Sequence, residues 1–196
     1  MRTTPLSLWA KQAFDSSVRN TVFQCLGFSP NPAVYEQVSV STTIGGLGIR
    51  RVVDHANGAF AASWHESRVI TMERGWDRPD VCSDDYDSQN RASVLTDAAI
   101  MKKLIESADK REAQRLNRLD SPHANAWLSA RPSTVDGKDT ILPPKIFRTA
   151  VARLLGQPVY SNSAPCPLCE QNMDVFGDHA LCCKKSGDRI TRHNRL

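Results

Sequence analysis

Apolar residues recur at three- and four-residue steps through positions 1–28, which is the spacing of one face of an α-helix. The residues on this face are Trp9, Ala13, Phe14, Val18, Val22, Phe23 and Leu26. Gly27 follows the last of them, and glycine commonly takes the left-handed conformation that ends a helix. The pattern predicts a first helix over residues 1–28.

This periodicity breaks near residues 29–50. Two prolines open the stretch, and an alternating pattern with Val34, Val38 and Val40 follows. The Gly-Gly-Leu-Gly run at 45–48 indicates a turn that needs a positive φ or a close approach of two backbone segments. We expect loops here and in the polar stretches near residues 74–91 and 120–142.

Three further helices are predicted from helical spacing. The second starts at Asp54, and the third covers residues 96–119 with Thr96 as its N-cap. The fourth starts at two prolines and stops at Gly156. The apolar stripes of the third and fourth helices are Ala98, Met101, Leu104, Ile105, Ala108, Leu116 and Leu119, and Ile146, Phe147, Ala150, Val151, Leu154 and Leu155.

Cysteine and histidine cluster near the end of the chain with the spacing Cys166-x2-Cys169-x9-His179-x3-Cys183. Two cysteines separated by two residues can hold one metal ion through a tight turn, and a pair one helical turn apart presents both ligands on a common face. Four such ligands predict a structural Zn²⁺ site with no open coordination position. Cys182 is an alternative to Cys183 as the fourth ligand.

The same residues are open to other chemistries. A redox dithiol at Cys166 and Cys169 has the required spacing, but no helix start follows and two further ligands are left unexplained. A cysteine nucleophile activated by His179 or His193 needs an orienting group and an oxyanion site that no motif supplies. Ordinary buried or free cysteines are the remaining alternative.

Charge is concentrated directly after this cluster. Residues 184–196 carry five cationic side chains and one carboxylate, which account for the whole net charge of +4. A basic segment beside a Cys/His cluster suits the phosphates of a nucleic acid, with a solvated basic tail as the alternative. The residues expected to bind nucleic acid are Lys184, Lys185, Arg189, Arg192, His193 and Arg195.

Two classes of segment are missing from the sequence. The N-terminal residues hold too few apolar positions for a secretory signal, and no stretch approaches the roughly 18 apolar residues of a membrane span. We therefore expect an intracellular protein, nuclear or cytoplasmic, without a membrane partner. In such a compartment clustered cysteines favour a metal over disulfides.

These residues carry a family resemblance. The segment CPLCEQNMDVFGDHALCC, followed by GDRITRHNRL, resembles the junction between the reverse transcriptase and the restriction-like endonuclease in proteins of non-LTR retrotransposons. The segments IGGLGIRRVVDHANGAFAASW and WLSARPS, the latter continued by LPPKIFRTAVARLLGQPV, resemble the helices that follow the polymerase thumb. The resemblance implies that the CCHC knuckle and nearby basic residues grip template RNA or target DNA.

The resemblance also has departures. No aromatic-x-Asp-Asp polymerase motif occurs, since SDDYD at 83–87 does not match it, and no nuclease carboxylate set follows residue 193. We therefore expect no catalysis by this chain, which ends where the resemblance places the start of the nuclease at Arg192, His193 and Asn194.

Together these observations predict a mainly α fold, with a helical connector over residues 1–158 and a zinc knuckle with a basic C-terminal helix over 159–196. The expected function is nucleic-acid binding as a fragment of a retroelement reverse transcriptase-like protein. The rest of the polyprotein is then a further expected partner. The alternative is a zinc-braced protein–protein interaction domain that docks a partner on the predicted apolar stripes.

Overall fold

The computed structural model describes residues 7–29, 31–76, 87–130 and 141–186. These residues form a mainly α-helical fold, which confirms the predicted class. The helices are α1 Leu8–Leu26, α2 Pro32–Ser39, α3 Val52–Glu73, α4 Gln89–Ser107, α5 Lys110–Leu119, α6 Pro144–Leu154 and α7 Asp178–Cys182. Strands β1 (Ala164–Pro165) and β2 (Asn172–Met173) pair antiparallel. The chain divides into two compact units, Met1–Arg131 and Pro132–Leu196.

The first helix is confirmed, but the side that it buries differs from the predicted one. Gly27 ends α1 at φ +74°, with its N–H donating to the carbonyls of Phe23 and Gln24. Phe23 is buried as expected, whereas the predicted face residues Trp9 and Phe14 are 77% and 50% exposed. The orientation of α1 is decided instead by two polar residues on another side of the helix.

Those polar residues are Asp15 and Lys11, both buried. The Asp15 carboxylate accepts hydrogen bonds from the N–H groups of Val52 and Val53, at 2.7 and 2.9 Å, and so caps the start of α3. The Lys11 ammonium donates to Asn57 Oδ1 at 2.8 Å. Because buried polar groups need partners, these contacts outweigh the apolar periodicity in orienting α1.

The expected loop over 29–50 is wrong for its first half, which forms α2. Asn31 caps this helix by accepting from the N–H groups of Ala33 and Val34, and Pro32 occupies its first turn. Val34 and Val38 stand four residues apart, so both lie on the buried side of α2. The valine spacing is helical, and the prolines mark a helix start rather than a loop.

The predicted glycine turn after α2 is confirmed. Thr42–Ile44 forms one 3₁₀ turn, and Gly45 follows with φ +93°. The N–H of Leu47 then donates to the carbonyl of Val38, and that of Gly48 to the carbonyl of Val40. The chain therefore folds back tightly against the end of α2.

The second helix is confirmed as α3, but the predicted third helix consists of two. α4 starts at Gln89, inside the predicted loop over 74–91, with Ser88 as its cap in place of Thr96. It ends at Ser107, because the Asp109 side chain accepts from the N–H of Glu112 at 2.8 Å and starts α5.

The predicted stripe across α4 and α5 contributes to the core of the first unit. Met101, Leu104 and Leu116 are buried together with Val40. Asp97 is also buried on α4, where it accepts from the N–H of Ser41 and forms an ion pair with Arg50. Both apolar packing and this buried carboxylate thus fix α4 against the turn that follows α2.

The fourth helix is confirmed as α6. It starts at Pro144 and its last carbonyls are followed by Gly156 at φ +66°. Val151, Leu154 and Leu155 are buried, whereas Ile146 and Phe147 from the predicted face are exposed. α6 belongs to the second compact unit, which starts earlier in the chain than the module predicted from residue 159.

Candidate metal centre

Four side chains of the second unit converge on one point. The Sγ atoms of Cys166, Cys169 and Cys183 and a ring nitrogen of His179 all lie within 4.8 Å of one another. The distance from Cys183 Sγ is 3.9 Å to Cys166 Sγ and 3.7 Å to Cys169 Sγ. His179 Nε2 lies 3.2 Å from Cys169 Sγ. This cluster could hold a metal ion.

The first two cysteines are presented by the turn between β1 and β2. The N–H of Glu170 donates to the Cys166 carbonyl, and the N–H of Cys166 donates to the Gln171 carbonyl, both at 2.8 Å. Glu170 itself takes a positive φ of 63°, which closes the turn. The backbone of residues 166–171 thus forms a tight turn that brings the Cys166 and Cys169 side chains together.

The other two residues of the cluster lie at the two ends of α7. His179 lies in its first turn and Cys183 directly follows its last residue, so the two are four positions apart and share one side of the helix. Cys183 is 4% exposed and belongs to the cluster, whereas Cys182 is exposed to solvent and lies outside it. The geometry favours Cys183 between the two alternatives.

Asp174 is a supporting residue that the cysteine and histidine spacing does not indicate. Its carboxylate accepts hydrogen bonds from the N–H groups of Phe176, Asp178 and His179, at 2.9, 3.1 and 2.8 Å. Partial burial raises the pKa of this carboxyl, but the three N–H donors outweigh it and leave the pKa below its usual value. The hydrogen bond from the N–H of Phe176 to the Asp174 side chain two residues earlier is an Asx-turn, and an aspartate just before a glycine-containing turn is a local signal for it that the sequence did contain.

We expect Asp174→Ala to weaken metal binding by about 10- to 100-fold, because the turn that presents His179 loses its cap. Competition with a chromogenic chelator measures this change. Asn172→Ala is the matched control, since Asn172 is an exposed polar residue on the neighbouring strand. Equal affinities for the two variants would contradict the capping role of Asp174.

Two thiols of the cluster, those of Cys166 and Cys169, have shifted pKa values. The backbone N–H groups of Leu168 and Cys169 stabilise the Cys166 thiolate and lower the pKa of Cys166 to about 6. The N–H of Gln171 lowers the pKa of Cys169, but burial and the neighbouring thiols Cys166 and Cys183 outweigh it and raise the net pKa. A turn that donates N–H groups to sulfur is suited to a cysteine that acts as a thiolate ligand.

The predicted nucleic-acid contacts are described only in part. Lys184 and Lys185 are exposed and follow Cys183 directly. Arg189, Arg192, His193 and Arg195, together with the predicted basic helix, lie outside the described residues. The acidic segment at 83–86 and the cysteine at position 82 lie outside them as well.

Comparisons with protein families, with curated proteins and with solved structures found no match for this chain. Within the described ranges, no helix has both the length and the apolar character needed to cross a membrane.

Proposed function

We propose that the four clustered side chains bind one structural Zn²⁺ ion. Sulfur ligands about 2.3 Å from a tetrahedral zinc lie about 3.8 Å from one another. The sulfur–sulfur distances from Cys183, 3.7 and 3.9 Å, agree with this spacing. Three cysteines and one histidine fill all four positions, so no site remains for an activated water. The ion then braces the turn against α7.

The proposed role of this zinc knuckle is to bind DNA or RNA. This role is supported by the position of the positive charge in the sequence. Lys184 and Lys185 come directly after Cys183, and the arginines of residues 189–195 follow them. A guanidinium group can bind a phosphate through two parallel hydrogen bonds. The knuckle would set the direction of the chain at Lys184 and Lys185, the first residues of this cationic segment.

On this proposal the chain is a retroelement-like fragment that binds nucleic acid inside the cell and performs no polymerase or nuclease reaction itself. A nucleic-acid partner follows from the resemblance to non-LTR retrotransposon proteins, because the cluster alone specifies a metal ion and not a nucleic acid. Binding experiments must therefore test the nucleic acid separately from the metal.

Neutralising the cations after the knuckle is expected to weaken nucleic-acid binding in a salt-dependent way. The slope of log K against log salt falls by about 0.9 for each phosphate of duplex DNA that the protein no longer neutralises. Lys184→Gln with Lys185→Gln should therefore reduce the slope by up to about two units. Fluorescence anisotropy over a salt series measures it, and replacing Arg189, Arg192 and Arg195 should lower the slope further.

The control for this experiment removes the same charge elsewhere. Lys102→Gln with Lys110→Gln replaces two exposed lysines of the first unit and should leave the slope unchanged. Binding that does not depend on salt, or an equal reduction in both double variants, would overturn the nucleic-acid proposal and leave the zinc proposal intact.

One observation favours the alternative, a zinc-braced protein interaction domain. An open groove of about 740 Å³ runs beside α4 in the first unit, and Val94, Met101 and Ile105 contribute to its apolar lining. A protein partner could place apolar side chains there. On this alternative, the Lys184 and Lys185 substitutions would have no effect on partner binding, whereas Val94→Asp would abolish it.

A further inference from the structure

Arg153 connects the last turn of α6 to the segment that carries two of the metal ligands. Its Nη1 donates to the carbonyl of Phe176 at 2.7 Å, and its Nη2 lies 3.2 Å from Asp178 Oδ1. Asp178 is the first residue of α7, and His179 follows it. One guanidinium group therefore spans the turn from which α7 starts.

α7 depends on such contacts for its position. It has only five residues, fewer than an isolated helix needs to form in water. The segment after α6 adds two hydrogen bonds, since the N–H groups of Val159 and Tyr160 both donate to the carbonyl of Val175. The turn before α7 thus forms hydrogen bonds with Arg153 of α6 and with Val159 and Tyr160, which follow α6. The same turn leads directly into the part of the chain that carries His179 and Cys183.

The packing at this turn is close. Gly177 is buried with φ +75°, and a Cβ there would lie 3.0 Å from Val159 Cγ2 and 3.2 Å from Arg153 Nη1. Arg153 and Val159 therefore reach the turn because Gly177 leaves room for them. A shift of the turn would break the guanidinium contacts and displace His179 and Cys183 in the same movement.

We infer that Arg153 is a positioning residue for the metal site, and that metal binding in turn holds the C-terminal end of α6 against the knuckle. This inference rests on the proposed metal site. Within the described residues the hydrogen bonds of Arg153 go to Phe176 and Asp178 and not to a side chain of the cluster, so we place its effect in the turn that presents those side chains. Thermodynamic linkage makes the effect reciprocal, because a contact that favours the bound state is itself favoured by the bound metal.

The test uses the full chain and Co²⁺, whose absorption reports the number and geometry of thiolate ligands. Arg153→Ala is expected to weaken Co²⁺ and Zn²⁺ binding by about 10- to 100-fold in chelator competition, the usual effect of removing a group that orients metal ligands. Arg153→Lys keeps the positive charge but cannot donate two hydrogen bonds from one planar group, so it should restore only part of the affinity. Arg148→Ala, an exposed arginine on the same helix, should bind like the wild type.

Hydrogen exchange of α6 distinguishes positioning from simple helix stability. With metal bound, Arg153→Ala should lower the protection of the last turn of α6, whereas without metal the variant and the wild type should exchange alike. Equal metal affinity for Arg153→Ala and the wild type, or the same decrease in protection with and without metal, would overturn the inference. A wild-type chain that binds neither ion would instead overturn the proposed metal site.

Discussion

Cys183→Ala is expected to abolish stoichiometric metal binding and to unfold the metal-binding module of the second unit, whereas Cys182→Ala leaves both unchanged. The two residues are adjacent and chemically identical, but only Cys183 belongs to the cluster. Each variant removes one thiol, and the two variants differ only in whether that thiol belongs to the cluster. The same comparison decides between the two fourth ligands that the spacing permits.

The expected effect is large because little else holds this module together. Between residues 157 and 186 the buried residues are Cys166, Gly177 and Cys183, two of which belong to the Cys/His cluster. Met173, Val175 and Phe176 are only partly buried. Structural zinc in small knuckle-like domains contributes about 10–16 kcal/mol, and this free energy then acts as folding free energy.

Elemental analysis of the purified chain gives the metal content of each variant, and amide NMR signals from residues 157–186 report the fold. We expect one zinc per chain for the wild type and for Cys182→Ala, and collapsed signal dispersion in this region for Cys183→Ala. Chelation of the wild type should reproduce the Cys183→Ala spectrum. A metal-free wild type with a folded module would show that the cluster is held by packing alone.

Gly46→Ala is expected to destabilise the first unit by about 3 kcal/mol or more, at the upper end of the range for a substitution that forces atoms into a packed site. A Cβ at this position would overlap the carbonyl oxygen of Val40 and lie 2.7 Å from that of Gln37. Both obstacles are backbone atoms. The Val40 carbonyl also accepts from the N–H of Gly48, so it cannot turn away without breaking that hydrogen bond.

Gly27→Ala is the matched control for this prediction. Gly27 has a φ of +74°, but a methyl group added there would meet no atom within 4 Å, so its substitution costs only the backbone term of about 1–2 kcal/mol. All four tryptophans lie within residues 1–131, so fluorescence during denaturant unfolding reports the first unit alone. Equal midpoints for the two variants would contradict the close approach at Gly46.

The sequence alone determined those features that depend on neighbours within a few positions. The four residues of the Cys/His cluster were predicted to lie together because residue spacing in a tight turn and a short helix is local, and the ends of α1 and α6 were predicted from Gly27 and Gly156. The glycine run after α2 likewise indicated a turn before any tertiary contact was known. Each of these follows from backbone geometry over a short stretch of chain.

Only the tertiary structure decided which groups hold these local elements in place. Asp15 reaches N–H groups 37 and 38 residues along the chain, and Arg153 reaches a carbonyl 23 residues away. The sequence carries no periodic pattern for such contacts. A buried polar side chain must match the hydrogen-bonding group that it contacts, and that group lies far away in sequence. For the same reason the apolar pattern of α1 predicted the helix correctly and its buried side incorrectly.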